Sequence, residues 1–440
     1  MALTKVSPSL FATSNNITSV TVGGSANTIS LTFDGSGVIT SATNNAVSVA
    51  NTAITGNIIS SQIASVNGSV ITANTIANSA IQTGAVENYM RGASLDFGMR
   101  NRIINGAMVI DQRNAGATLT LSGSSQFAVD RFVASKDTAG ATCTAQRSTT
   151  STTGFVNSFL WTTTTGATSG ASDESVIWQN IEGYNVADLA WGTASAATVT
   201  LSFWVRSSLT GTFGVSFRSP SGSRNYVGSY TINSANTFEY KTVTVAGDTT
   251  GTWATDNSTG LRITWDMGCG TSKSTTAGSW GAGNLPGLTG GVKVSQNTGA
   301  TWYITGVQLE KGSTATSFDY RPFGTELQLC QRYFTKSQSW AAAISAGEGQ
   351  GLIAWYAVTT AVIGGWAPHK VSMRTQPTIT IYRQDGTINA TNRFIDGVNT
   401  TGTATCPEPG IEGFRYVSNA SSGFTAGTYY QFYYIASAEL

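Results

Sequence analysis

Residues 199–207, Val-Thr-Leu-Ser-Phe-Trp-Val-Arg-Ser, alternate with a period of two. Val199, Leu201, Phe203 and Val205 share one side, while Thr200, Ser202, Trp204 and Arg206 share the other, which is the pattern of a strand with one face in a core. Near residue 300 the order Tyr303, Thr305, Val307, Leu309 repeats the alternation and predicts a long closing strand. Clusters of Gly, Ser, Asn and Thr separate such runs, and the Gly-rich stretch 278–291 reads as loop. Thr, Val, Ile and aromatic residues are plentiful and Ala- or Leu-rich helical stretches scarce, so the predicted class is all-β.

Composition narrows the function. With 440 residues and 40% hydrophobic content the chain has material for two or three domains. Charged residues are only 11% of it, against roughly 25% in an ordinary soluble domain. Hydroxyls and amides must therefore wet its surface. The 24 basic and 23 acidic residues leave no excess with which to neutralise phosphates, so nucleic acid is not expected as a partner. No apolar run reaches 18 residues, and residues 1–11 lack the features of a secretory signal. The expectation is a cytoplasmically made protein without membrane insertion. Cys143, Cys269, Cys330 and Cys406 lie far apart with no Cys-x-x-Cys spacing, and free, partly buried thiols are expected.

Four regions succeed one another. In residues 1–45, Ile29, Leu31 and Phe33 alternate before Asp34-Gly35 and Ser36-Gly37, which predicts a small hairpin in an attachment segment. In residues 46–90 the aliphatic residues recur every five positions: Val49, Ile54, Ile59, then after a slip Val66, Ile71, Ile76, Ile81 and Val86. A single chain buries little with such a stripe, whereas identical chains wound about one axis cover it. This predicts a fibrous shaft in a homotrimer. Residues 91–323 read as a β-sandwich. Residues 324–440 open with a short capped helix running into a strand over 325–334, contain a hairpin over 378–389 at the Asp385-Gly386 turn, and end in an aromatic strand over 429–438.

Two pairs of stretches carry a resemblance. Residues 101–116, NRIINGAMVIDQRNAG, and 126–133, QFAVDRFV, are similar to the opening of a β-sandwich module of tailed-bacteriophage tail fibres; 306–323, GVQLEKGSTATSFDYRPF, and 326–334, ELQLCQRYF, resemble its closing strand and the junction to a distal domain. The resemblance covers about half the chain. It implies a jelly-roll-like, carbohydrate-binding-like fold in a virion tail fibre, trimeric, docked to a tail or baseplate protein at its N-terminal end and meeting a host-surface glycan or protein at its C-terminal end. In that module Asn101, Asn105, Asp111, Arg113 and the pair Asp130-Arg131 look structural, and no binding residue is carried over.

Reaction chemistry finds little footing. His369 is the single histidine, so histidine metal clusters are excluded, and it sits among Gly364, Gly365 and Pro368 in what reads as a surface loop. Neither a nucleotide-binding glycine loop nor a nucleophile elbow occurs, and no cofactor is expected. A polysaccharide-cleaving tailspike is the enzymatic alternative. It needs two carboxyl groups about 5 to 9.5 Å apart, with Asp173 and Glu174, or Glu408 and Glu412, as candidates. The coils of a long β-helix are missing from residues 100–440, which weighs against it. A non-viral lectin-like adhesin is the other alternative. Sugar binding without cleavage needs aromatic faces and hydrogen-bonding groups. Trp280, Trp366 and Phe424 lie among glycines and are the candidates for displayed rings, with the surroundings of Trp366 and His369 in the distal region the first choice.

Overall fold

The computed structural model describes the backbones of three N-terminal strands and, in full, residues 99–342 and 350–440. The shaft residues Val49, Ile54, Ile59, Val66, Ile71, Ile76, Ile81 and Val86 lie outside the described residues. Among the described residues strands hold 41% and helices 6%, which is the expected all-β class. Two compact units are present, Met1–Thr83 and Gly84–Leu440.

In the first unit β1 (Ser19–Val22), β2 (Ile29–Phe33) and β3 (Ile39–Thr43) form an antiparallel meander. The hairpin expected after Phe33 is the β2–β3 pair, with Leu31 opposite Ala42, and β1 extends it by one strand.

The second unit begins with the sandwich. Its strands in chain order are β4 (Leu119–Thr120), β5 (Gln126–Val129), β6 (Phe132–Ser135), β7 (Thr142–Ser148), β8 (Ser158–Thr165), β9 (Glu174–Glu182), β10 (Val199–Ser207), β11 (Gly211–Arg218), β12 (Asn225–Ile232), β13 (Glu239–Val245), β14 (Thr259–Cys269), the short β15 (Ser274–Thr275), β16 (Trp280–Gly281) and β17 (Gly287–Leu288), and β18 (Thr301–Lys311). One sheet has the order β13-β10-β18-β8-β7-β4 and the other β16-β12-β11-β14-β9-β6-β5. Residues 278–291, expected as loop, thus include two two-residue strands.

The alternation in β10 survives intact. Val199, Leu201, Phe203 and Val205 are fully buried, and Phe203 meets Tyr230 and Trp265 of the facing sheet edge-on at 5.0 and 6.0 Å. Such ring pairs add about 0.5–1.5 kcal/mol each beyond area burial. In β18 the expected face is wrong for half the strand. Trp302 and Ile304 point into the core at one end, Val307 and Leu309 at the other, and Tyr303 faces outward. The cause is a bulge. Ser202 pairs with Gln308 and Trp204 with Thr305, so β18 uses one residue more than β10 and its parity switches at Gly306, whose φ is +60°.

The motif residues at 101–131 knit this bulge to the rest of the fold. The Asn101 side-chain amide donates to the Val307 carbonyl at 3.0 Å and its oxygen accepts from Leu309 N–H at 3.1 Å. Asn105 donates to the carbonyls of Ile110 and Asp130. Asp111 caps Asn114 and Gly116, and Asp130 accepts from Gln112 at 2.9 and 2.6 Å. The expected structural side chains are all so engaged, Arg113 through an ion pair with Glu439 at 2.7 Å and Arg131 stacked on Tyr333.

After the sandwich, helix α1 (Phe323–Gln331) leads into β19 (Phe334–Lys336). No side chain caps α1, contrary to the expected cap; Pro322 holds its N-cap position. The distal sheet continues through β20 (Ile353–Ala357), β21 (Val362–Pro368), β22 (Thr378–Tyr382), β23 (Asn392–Arg393), β24 (Ala404–Thr405), β25 (Gly413–Asn419) and β26 (Tyr429–Ser437). The aromatic C-terminal run is its central strand, paired with β19, β20, β22 and β23. The 378–389 hairpin is present in reduced form, Arg383 bonding Thr387 around Gly386, while the main partner of β22 is β26. A small apolar cluster of Ile104, Ile110, Cys330 and Tyr333 joins the sandwich core to the distal one. No helix among the described residues is long and apolar enough to cross a membrane.

Candidate functional site

The residues singled out for sugar binding separate in the fold. Phe424 is 4% exposed and packs tilted against Tyr430 at 4.9 Å, so it belongs to the distal core. His369 is buried too, against the rings of Phe414 and Tyr434, with Nε2 3.1 Å from the Gly410 carbonyl. Burial pushes its pKa below the ordinary histidine value, so it is a neutral wedge and not the surface group expected. The segment before it is strand β21, not loop. Of its glycines Gly365 serves close packing, since a Cβ there would lie 2.3 Å from the Trp355 indole. Trp366, beside a register shift in that strand, is 59% exposed.

Trp280 is half-buried in a cluster with Trp191, Trp253 and Tyr226, at 5.3, 5.6 and 5.4 Å. The three indole N–H groups donate to the carbonyls of Ala197, Thr250 and Ala246. With those donors engaged internally, the cluster reads as a plug on the sheet edge.

The better site is the outward face of the six-stranded sheet. In β10 the parity that buries Phe203 turns Thr200, Ser202, Trp204 and Arg206 outward. In β13 the same parity turns out Tyr240, Thr242 and Thr244, which stand opposite Trp204, Ser202 and Thr200. Trp204 and Tyr240 form a cross-strand pair with ring centroids 5.4 Å apart. Beside them Thr242 and Thr244 are exposed, whereas Thr200 and Ser202 are covered, 1% and 2% exposed, with the Thr200 hydroxyl bonded to Thr244 at 3.0 Å and to the Gly312 carbonyl at 2.8 Å.

One wall of this face is made by the chain after β18. Thr316 is tied to Glu310 by its N–H at 2.9 Å and its hydroxyl at 2.6 Å, and Asp319 N–H donates to Gln308 at 2.8 Å. This fold-back covers the polar end of β18 and delivers Phe318 and Tyr320 to the edge of the Trp204 platform. Phe155, Phe318 and Tyr320 pack as a triad at 4.8–5.5 Å, and the Tyr320 hydroxyl donates to the Gly154 carbonyl at 2.6 Å. The resulting groove has a volume of about 440 Å³ and is lined by Ser202, Trp204, Tyr240, Gly306, Thr316, Ser317 and the triad. Behind the triad a narrower, mainly apolar cavity of about 230 Å³ runs toward Val109 and Phe323.

The groove offers stacking faces and neutral hydrogen-bonding groups, and no carboxyl group lines it. That is equipment for holding a polyhydroxylated ligand, with no acid–base pair in the groove. Of the carboxylates considered for hydrolysis, Glu174 is held by Arg218 at 3.2 Å, Lys273 at 3.4 Å and Asn284 at 3.2 Å, while Asp173 accepts from Gly170 N–H at 2.8 Å. Glu412 accepts from the Ser372 hydroxyl at 2.6 Å. Cys143, Cys269 and Cys330 are free and buried, and Cys406 is free and half-buried. No cluster of three or more metal-ligating His, Cys, Asp or Glu occurs among the described residues.

Trp204, Tyr240 and Tyr320 are not among the residues the sequence nominated. The signal for Trp204 was available: a tryptophan on the outward parity of a strand whose other parity is core. Tyr320 joins it only through the fold-back after β18, which no local pattern encodes.

No protein-family model matches the chain, and no curated protein matches it. Solved structures with partial likeness include the enzymatically active domain of tailspike protein 4 of bacteriophage CBA120, at 15% identity and TM-score 0.27 over 48% of this chain. The matched part spans 21% of that tailspike chain. A putative sugar-binding protein from Bacteroides thetaiotaomicron matches over 48% of this chain and 99% of its own, at 10% identity and TM-score 0.27. A family 11 carbohydrate-binding module from Clostridium thermocellum, in complex with a β-1,3-1,4-mixed-linked tetrasaccharide, matches over 46% and 98%, at 14% identity and TM-score 0.23. At these scores the likenesses carry no argument about site or ligand.

Proposed function

We propose that this protein is a non-catalytic adhesive subunit of a phage tail fibre and that it holds a surface glycan on the outward face of its sandwich. The observation that carries the binding role is the Trp204–Tyr240 pair, two rings on a sheet face beside hydroxyls and a groove of about 440 Å³. Aromatic faces stack on the C–H faces of sugar rings, and the volume lies within the usual range of small-ligand sites. Neither ring belongs to the buried core of the sandwich. The fibre context rests on the five-residue stripe from Val49 to Val86 and on the resemblance at 101–133 and 306–334. Three copies on one fibre would strengthen weak individual sites by roughly 10²- to 10⁴-fold through avidity. In this reading Trp366, exposed on the distal sheet, is an auxiliary contact and the sandwich groove the principal one.

The test is Trp204→Ala in the full chain, titrated against an oligosaccharide array of neutral and acidic bacterial-type glycans. Trp204 is half-buried on the surface, so its loss should weaken binding at least about tenfold, equivalent to about 1.4 kcal/mol. The melting temperature should change little. Trp265→Ala, which empties a core position, should instead lower stability by roughly 3–5 kcal/mol. Unchanged glycan binding by Trp204→Ala would remove the groove from consideration.

A further inference from the structure

The platform continues one step beyond Trp204. Arg206 comes next on the same outward parity of β10, roughly 6.6 Å further along the strand at the usual rise per residue. Its cross-strand partner is Tyr303, turned outward by the bulge at Gly306. The guanidinium carbon stands 4.8 Å from the centre of the Tyr303 ring, Nε donates to the Asn236 carbonyl at 2.8 Å, and Phe238 packs edge-on against Tyr303 at 6.2 Å. These contacts fix the plane of the guanidinium and use one of its five N–H groups.

Its terminal nitrogens are left without an acceptor among the described residues, and no carboxylate there pairs with it. Arg224, just before β12, shows the contrast, clamped by Asp248 in two bonds at 2.6 and 2.8 Å. An arginine oriented by stacking, with its fork open and a sugar platform alongside, has the geometry for bidentate capture of a carboxylate.

We infer that the groove takes an acidic glycan, with Trp204 and Tyr240 stacking on one sugar and Arg206 holding the carboxylate of a neighbouring uronic-acid residue. This rests on the glycan-binding reading above and names its ligand class. Neutral polysaccharide would meet only the aromatic half of the site. Binding should therefore weaken with added salt, because the guanidinium sits at the solvent edge.

The experiment uses the full chain and an array of uronic-acid oligosaccharides printed beside the same chains after carboxyl reduction. The wild type should prefer the acidic form by about tenfold or more, as a charge-assisted hydrogen-bonded pair supplies. Arg206→Gln should abolish that preference while keeping the affinity for the reduced chains. Arg206→Lys should retain part of it, since charge remains and the fork is lost. If the wild type binds both forms equally, or if the preference survives in Arg206→Gln, the acidic assignment is overturned while glycan binding stands. If the wild type binds neither form nor any other array member, the glycan reading itself falls, and this inference with it.

Discussion

Lys336 is a charge the fold has enclosed: the residue is 0% exposed, and its ammonium donates to the carbonyls of Gln112, at 2.5 Å, and Ala342. No carboxylate among the described residues forms an ion pair with it. Burial lowers its pKa from 10.5 to about 8, against the opposing influence of Asp130. An unfolded lysine keeps the ordinary value, so between pH 8 and 10.5 the unfolded chain binds more protons than the folded one. Stability from this residue therefore rises with pH across that window and is lowest below about pH 8. Denaturant unfolding at about pH 7, 9 and 10.5 should show Lys336→Met gaining most, relative to the wild type, at the lowest pH, with the difference shrinking toward the highest. Parallel pH profiles would mean that Lys336 keeps its ordinary pKa in the fold. The same residue-level logic separates Trp204 from Trp265. Both are strand tryptophans, and strand parity together with the covering sheet decides which becomes core and which platform.

At the scale of the element, the decisive feature is the bulge in β18. It turns Tyr303 outward under Arg206, and it places Gly306 in the left-handed region, with φ +60°, in the floor of the groove. A Cβ there would lie 2.6 Å from the Phe155 ring. Gly306→Ala should therefore destabilise the chain by roughly 1–3 kcal/mol through the backbone conformation alone, and displacement of Phe155 should loosen the groove wall. Chemical denaturation would measure the first effect and glycan titration the second. A variant of wild-type stability with intact binding would show that the bulge relaxes freely. The glycines of β21 teach the converse lesson. Gly364 and Gly365 read as loop breakers, yet they lie in a strand, and Gly365 passes close over Trp355.

For the whole molecule, the boundary near residue 323 lies between two cores that are held together by buried polar contacts. Glu182 accepts from Arg332 at 3.0 and 2.6 Å and from the Tyr333 hydroxyl at 2.6 Å. Glu439, just past the last strand, pairs with Arg113 and Arg131 of the sandwich. Glu439→Ala would leave Arg131, whose side chain is 2% exposed, without its carboxylate, and should lower stability by roughly 3 kcal/mol, the lower end for a broken buried pair. Scanning calorimetry should show the sandwich and distal transitions moving apart; an unshifted melt would mean that the joint contributes nothing to their coupling. By itself, the sequence determined the features that local rules dictate. Period-two alternation announced β10 and β22, the aromatic run announced β26, turn chemistry announced the β2–β3 hairpin, and the resemblance at 101–131 implied structural polar side chains. Only the tertiary structure decided which aromatic rings are displayed. Exposure depends on what another segment lays over a side chain: the chain after β18 builds a groove beside Trp204, while packing against Tyr430 removes Phe424 from the surface. Those contacts are set by how whole segments fold over one another, and no local pattern carries them.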